Sequence, residues 1–386
     1  MQAETSTPAI DTSKSVKIGY VDNLKVILTV LVILHHTVIT YGGPGGWYYS
    51  EKTTHIGALI PMTLFVATNQ SFFMGFFFFL SAYFAESSYR KKGAMRFLAD
   101  RLKRLGIPLI FYSVILSPVL SYLVYHFAKG NNITYLQYLG GFHSWIDFGV
   151  LWFVAALLLF SVLYVVVMLL FKNGRTSTGK KMPGTMAIFL FAVILALGSY
   201  LIRWVFPVGW VLAPVGFQLG HFTQYVALFA MGIVASRGQW LSKVNYKTGK
   251  VFAVMVFVMI VILFPVLYYV VTITKSPIEA LNGGGTWQSL MYAFWEQFTG
   301  IFIMTALLGI ARQKWNAQSG VFKKLSRATF AVYIFHPLVL ISMSMLLRPW
   351  GADPAVKLLV AAPVVVVMSF LLGLGIVRLP GAKEVV

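Results

Sequence analysis

The sequence predicts an all-α membrane protein, a polytopic transmembrane helical bundle with about ten spans and both termini cytoplasmic. Three observations predict it. Of 386 residues, 58% are hydrophobic and 11% are charged, and the mean hydropathy is +0.78, the balance of a polytopic membrane chain. Apolar runs about 17–25 residues long, the length a bilayer crossing needs, recur from end to end. Lysine and arginine gather in alternate connecting segments, as the positive-inside rule requires.

The elements follow in order. Residues 1–17 are polar and rich in Ser and Thr, and read as a disordered cytoplasmic tail with no cleavable signal peptide. Residues 18–379 read as one transmembrane domain, and 380–386 as a second cytoplasmic tail. The predicted spans are 21–41, 60–84, 107–127, 150–171, 186–206, 217–235, 251–273, 289–311, 329–347 and 356–377. Aromatics make up 16% of the chain and suit interfacial belts. There is no cysteine, so disulfides, thiolates and Cys-ligated metals are excluded, and no metal site is predicted.

One set of connecting segments is strongly basic. It holds Lys14 and Lys17, the run from Arg90 to Arg104, then Lys172, Arg175, Lys180 and Lys181, then Arg237 to Lys250, then Arg312 to Arg327, and finally Arg378 and Lys383. The other set holds little beyond Lys52, Lys129, Arg203, Lys275, Arg348 and Lys357. The first set is assigned to the cytoplasm of an inner membrane. The net charge of +20 then expresses orientation and contact with anionic lipid, and nucleic acid is excluded as a partner. No internal repeat is evident. The glycine clusters at 42–46 and 283–285 read as flexible outer turns, not phosphate loops.

Few residues are able to carry chemistry. Lys25 and His36 lie eleven apart in the first span, so they share a face and sit about 16 Å apart along the axis. An ionisable group inside a span is a functional candidate by default. His36 reads either as a general base or as a packing histidine bonded to a neighbouring helix. Lys25 reads either as a binder of ligand anions or as a snorkelling side chain paired with Asp22. Glu296, in the eighth span, lies about 10 Å from the outer end of its helix, near the depth of His36, Asn69 and Gln70. That layer predicts either a cavity open to the outside or an interhelical hydrogen-bond cluster. His336 precedes Pro337, and a bond to a carbonyl freed by the proline is its simplest reading. His143 and His221 read as solvated residues of outer loops or span ends.

These residues resemble the acyltransferase-3 family of integral membrane O-acyltransferases, over nearly the whole chain. Lys25 and His36 hold the spacing of an arginine and a histidine in the family's first span, with lysine for arginine. Phe76 to Tyr83 is similar to its aromatic run ending in Leu-Ser-Gly-Tyr, with Ala82 for glycine. Arg90 to Pro108 follows its basic loop, Leu151-Trp152-Phe153 its fourth-span motif, and Ser326 to Pro337 its late-span signature. The resemblance implies acyl transfer from coenzyme A thioester to a hydroxyl of a glycan, lipid or small molecule. No cofactor is expected to be held permanently; acyl-coenzyme A is the expected donor substrate. Resemblance and position together give His36 and Glu296 as catalytic candidates, and Lys25, Arg101, Lys103 and Arg104 as donor-binding ones. Asn69, Ser81, Tyr83, Trp152 and His336 are candidates for an acceptor site or cavity. A transporter of polysaccharide or organic anion, or a non-catalytic scaffold, is the rival class. The acyl group, the acceptor and the oligomeric state are not legible.

Overall fold

The computed structural model describes residues 18–171 and 181–385. The predicted tail 1–17, with Lys14 and Lys17, and the basic residues Lys172, Arg175 and Lys180 lie outside them. Among the described residues there are ten helices long and apolar enough to cross a membrane. They are α1 (Gly19–Thr40), α2 (Ile56–Lys92), α3 (Ala94–Ala128), α4 (Gly149–Leu170), α5 (Thr185–Ile202), α6 (Leu219–Gly238), α7 (Tyr246–Ile273), α8 (Trp287–Lys314), α9 (Gly320–Leu347) and α10 (Pro354–Ile376). A single bridge between Leu212 and Phe217 is the one β pairing among the described residues.

Helices α1, α2 and α8 carry the most buried surface, while α5, α7 and α10 turn most of theirs outward. The reason lies in their side chains: away from the lysines near their starts, α7 and α10, like α5, are apolar on nearly every face, and lipid accepts such a surface. The strongest packings pair α2 with α6, α9 with α10, and α8 with both α5 and α7. Helix α1 lies in the groove between α9 and α10. Close crossings need a residue without a side chain. At Gly300 of α8 a Cβ would meet the Ser71 carbonyl of α2 at 2.0 Å, so no other residue allows that contact.

Three predicted boundaries move furthest. Helix α2 runs on to Lys92, α3 starts at Ala94 rather than near 107, and α9 starts at Gly320 rather than near 329. The basic stretch predicted as a loop is therefore helical except at Gly93, whose φ of 75° makes the break. A helix does not stop where the hydrocarbon stops, because Arg, Lys, Met and Ala all favour helix in water.

Candidate active site

The end of the bundle that carries Lys25 opens into a cavity of about 570 Å³. Its rim is mostly basic, with Lys25, Lys92, Arg101, Arg104 and Arg327 and one acid, Asp100, paired with Lys92. Its walls are largely apolar, from Phe84, Leu157 and Phe330, with Ser81 among them. Phe77 on α2, Phe153 on α4 and Tyr333 on α9 are the lining residues deepest along their helices, and they form the inner end. The hydroxyl of Tyr333 donates to the Val150 carbonyl, which holds α9 against the start of α4. Lys25 Nζ stands 3.3 Å from Asp22 Oδ1 and 4.9 Å from the ring centre of Phe84, so the predicted pairing and a place on the cavity coexist. Arg101 lies on the ring of Phe97 at 5.0 Å. Beside the cavity, the buried Glu86 carboxylate accepts from Arg90 Nε at 2.7 Å, from Arg237 Nε at 2.8 Å and from the Tyr164 hydroxyl, so α2, α4 and α6 are tied at one point.

Beyond the inner end sits a stack of rings. His36 is partly exposed, and its Nδ1 is buried without a hydrogen-bond partner. Trp47 stacks on it with ring centres 4.0 Å apart and planes 23° from parallel. His336 stacks from another side at 5.4 Å and 20°, and His35 meets it edge-on at 5.5 Å. Trp47 comes from the segment between α1 and α2. Gly45, whose φ of 137° strains any residue with a side chain, turns that segment back down along α1. Bonds from Tyr48 to Tyr112 (2.8 Å), Lys357 to Glu51 (2.8 Å) and Thr53 to Asp353 (3.1 Å) pin it there. The segment that follows the glycine turn, 47–53, is thus pinned, with Trp47 over His36.

His336 is held differently. Pro337 has no N–H, so the carbonyl four residues earlier, that of Tyr333, lacks its helical donor. His336 Nδ1 donates to it at 2.8 Å, as the proline predicts. A carbonyl only accepts, so the neutral ring carries its proton on Nδ1 and its lone pair on Nε2. That Nε2 is buried with no partner.

The predicted outer layer takes the second of its two readings: its polar groups bond between helices. Asn69 Nδ2 donates to the Leu31 carbonyl at 3.1 Å, and Gln70 Nε2 to the Tyr225 hydroxyl at 3.2 Å. Glu296 is bound by Arg203, and His221 Nδ1 lies 3.2 Å from its Oε1. Its carboxylate is committed to a buried ion pair, so it is not a free base near His36. Arg203, predicted as a loop charge, is fully buried, and His221, predicted as solvated, is 4% exposed. Both were misread because they end apolar runs, where a charge ordinarily reaches water. Lys103 turns outward to Glu384 and does not line the cavity, although Val385 beside that acid does. Tyr83 is buried against Phe84, and Trp152 packs on Tyr225 at 5.6 Å, so neither lines the cavity. Trp47 was missed because nothing in an outer loop's composition says which helix it folds back upon.

A cationic rim, an apolar channel and imidazoles with free nitrogens suit a long ligand with an anionic head and a reactive tip. The comparisons bear on which ligand. A family model described as an acyltransferase domain matches residues 18–378. Searches of curated proteins and of solved structures found no match. The transporter and scaffold readings give way to an enzyme, and the chain belongs to the acyltransferase-3 family of membrane acyltransferases.

Proposed function

We propose that the protein moves a short acyl group from cytoplasmic acyl-coenzyme A to a hydroxyl of a glycan, lipid or small molecule. The membrane is an inner membrane, both termini are cytoplasmic, and His36 is the general base. The carrying observation is the cavity whose basic rim includes Lys25 and whose inner end, at Tyr333, lies one helical turn from His336, the stacking partner of His36. Coenzyme A is polyanionic at one end and carries its acyl group on a thin flexible arm. Lys25, Arg101, Arg104 and Arg327 suit the phosphates, and the apolar walls suit the arm. His36 takes the proton of the acceptor hydroxyl as its oxygen attacks the thioester carbon. The carbon–sulfur bond breaks, the ester forms, and the proton passes to the departing sulfur to give the thiol.

The chain has no cysteine, so thiol release from acetyl-coenzyme A is read without protein background. The assay uses purified protein in octyl glucoside micelles, whose sugar supplies hydroxyls. His36→Ala is expected to lower the rate about 10²–10⁴-fold with an unchanged melting temperature. A stable His36→Ala protein with parental activity would remove this residue from the mechanism.

A further inference from the structure

A base that takes a proton inside a membrane becomes a cation that needs stabilising. Histidine bases ordinarily lean on a carboxylate bonded to the second ring nitrogen. Here no carboxylate contacts His36 among the described residues, and Nδ1 is unpartnered. The carboxylate that the sequence offered for a catalytic role, Glu296, is committed to Arg203 and His221. What His36 has instead is the face of an indole at 4.0 Å, nearly parallel. We propose that Trp47 stands in for the carboxylate, stabilising the His36 imidazolium by cation–π stacking, and so acts as a positioning residue of the reaction. The proposal rests on His36 being the base.

Tryptophan is the strongest aromatic partner for a cation, and the contact gains most where water is excluded. The other rings around His36 are those of His336 and His35, and these are the titratable groups whose charge bears on it. His336 is set in its neutral Nδ1–H form by the Tyr333 carbonyl, so it opposes no charge while it stays neutral. The pinned loop fixes the indole: Tyr48 is bonded to α3, and Glu51 and Thr53 are bonded to the start of α10. Such rigid mounting is what a stabilising group requires and what a merely covering loop does not.

The test replaces Trp47 by suppression of a stop codon with tryptophans carrying one to four fluorines. These keep the ring's shape and draw electron density from its face. Thiol release from acetyl-coenzyme A is measured in octyl glucoside, beside the melting temperature. The expected result is a fall in log kcat in even steps with fluorine number, roughly 10- to 30-fold in all, at constant donor KM and constant melting temperature. In the His36→Ala background the series is flat. A flat series in an otherwise native protein, beside an inactive His36→Ala, overturns the role of Trp47 alone. A His36→Ala protein with parental activity, or no thiol release by the native chain, overturns the base assignment and this proposal with it.

Discussion

Lys25 and Glu296 show how differently two ionisable residues of one bundle are used. Lys25 keeps access to water and shares its charge with Asp22, which leaves it able to meet a ligand phosphate. Lys25→Ala is therefore expected to raise the donor KM roughly tenfold with kcat little changed, while Lys25→Arg keeps most affinity. An unchanged donor KM in Lys25→Ala would reduce the residue to an interfacial anchor. Glu296 has no such access. Glu296→Gln leaves Arg203 buried without its counter-charge, a loss of about 3–5 kcal/mol. The melting temperature should drop, and the double variant Arg203→Met/Glu296→Leu should recover much of it, since apolar replacement of a buried pair is often neutral. A Glu296→Gln protein as stable as the parent would contradict this account. Lys25 and His36 were legible because helical period alone puts positions eleven apart on one face. Glu296 was legible as buried, but its partner sits ninety-three residues away and no local pattern points to it.

Pro337 governs a whole turn of α9. Restoring an N–H at this position gives the Tyr333 carbonyl its ordinary helical donor, in competition with His336 Nδ1. Pro337→Ala is expected to keep or raise the melting temperature while lowering thiol release about tenfold, the usual scale for losing an orienting partner. Nitrogen-15 spectra of histidine-labelled protein check the cause: His336 should pass from one tautomer to a mixture. Parental activity with an unaltered His336 spectrum would exclude the role. The ten helices and their order were readable from apolar runs, because a bilayer demands a minimum length of each. Their ends were not. The basic stretch from Arg90 to Arg104 continues as helix because nothing but Gly93 interrupts it.

For the whole molecule, the alternating basic segments predict one orientation. Single cysteines at Ser242 and Gln313, in a chain that has none of its own, should resist an impermeant thiol reagent in intact cells. Those at Ser50 and Asn132 should react. Labelling of the first pair from outside would invert the topology and with it the side from which the donor enters. The composition made the membrane legible, and the resemblance made the chemistry legible. The cavity was legible only in part. Arg101, Arg104 and Ser81 line it as expected, but Phe77, Phe153 and Tyr333 close it, and aromatic residues are too common here for composition to single them out.

The extension of α2 has a consequence for hydration. Its 37 residues span about 55 Å, against a hydrocarbon core of about 30 Å. Ser88 and Lys92 stand one to two turns beyond Phe84, and the helical Arg101–Arg104 segment faces them across the rim. On the proposed reading, a nucleotide head bound there would keep its water, and shedding that water is the most unfavourable step of entry for a phosphate. Only the thin, weakly polar arm would be dehydrated, between Phe84 and Phe330. Acyl-coenzyme A would then be sorted by solvation, its charged head left in the aqueous phase while the reactive tip alone crosses into the membrane.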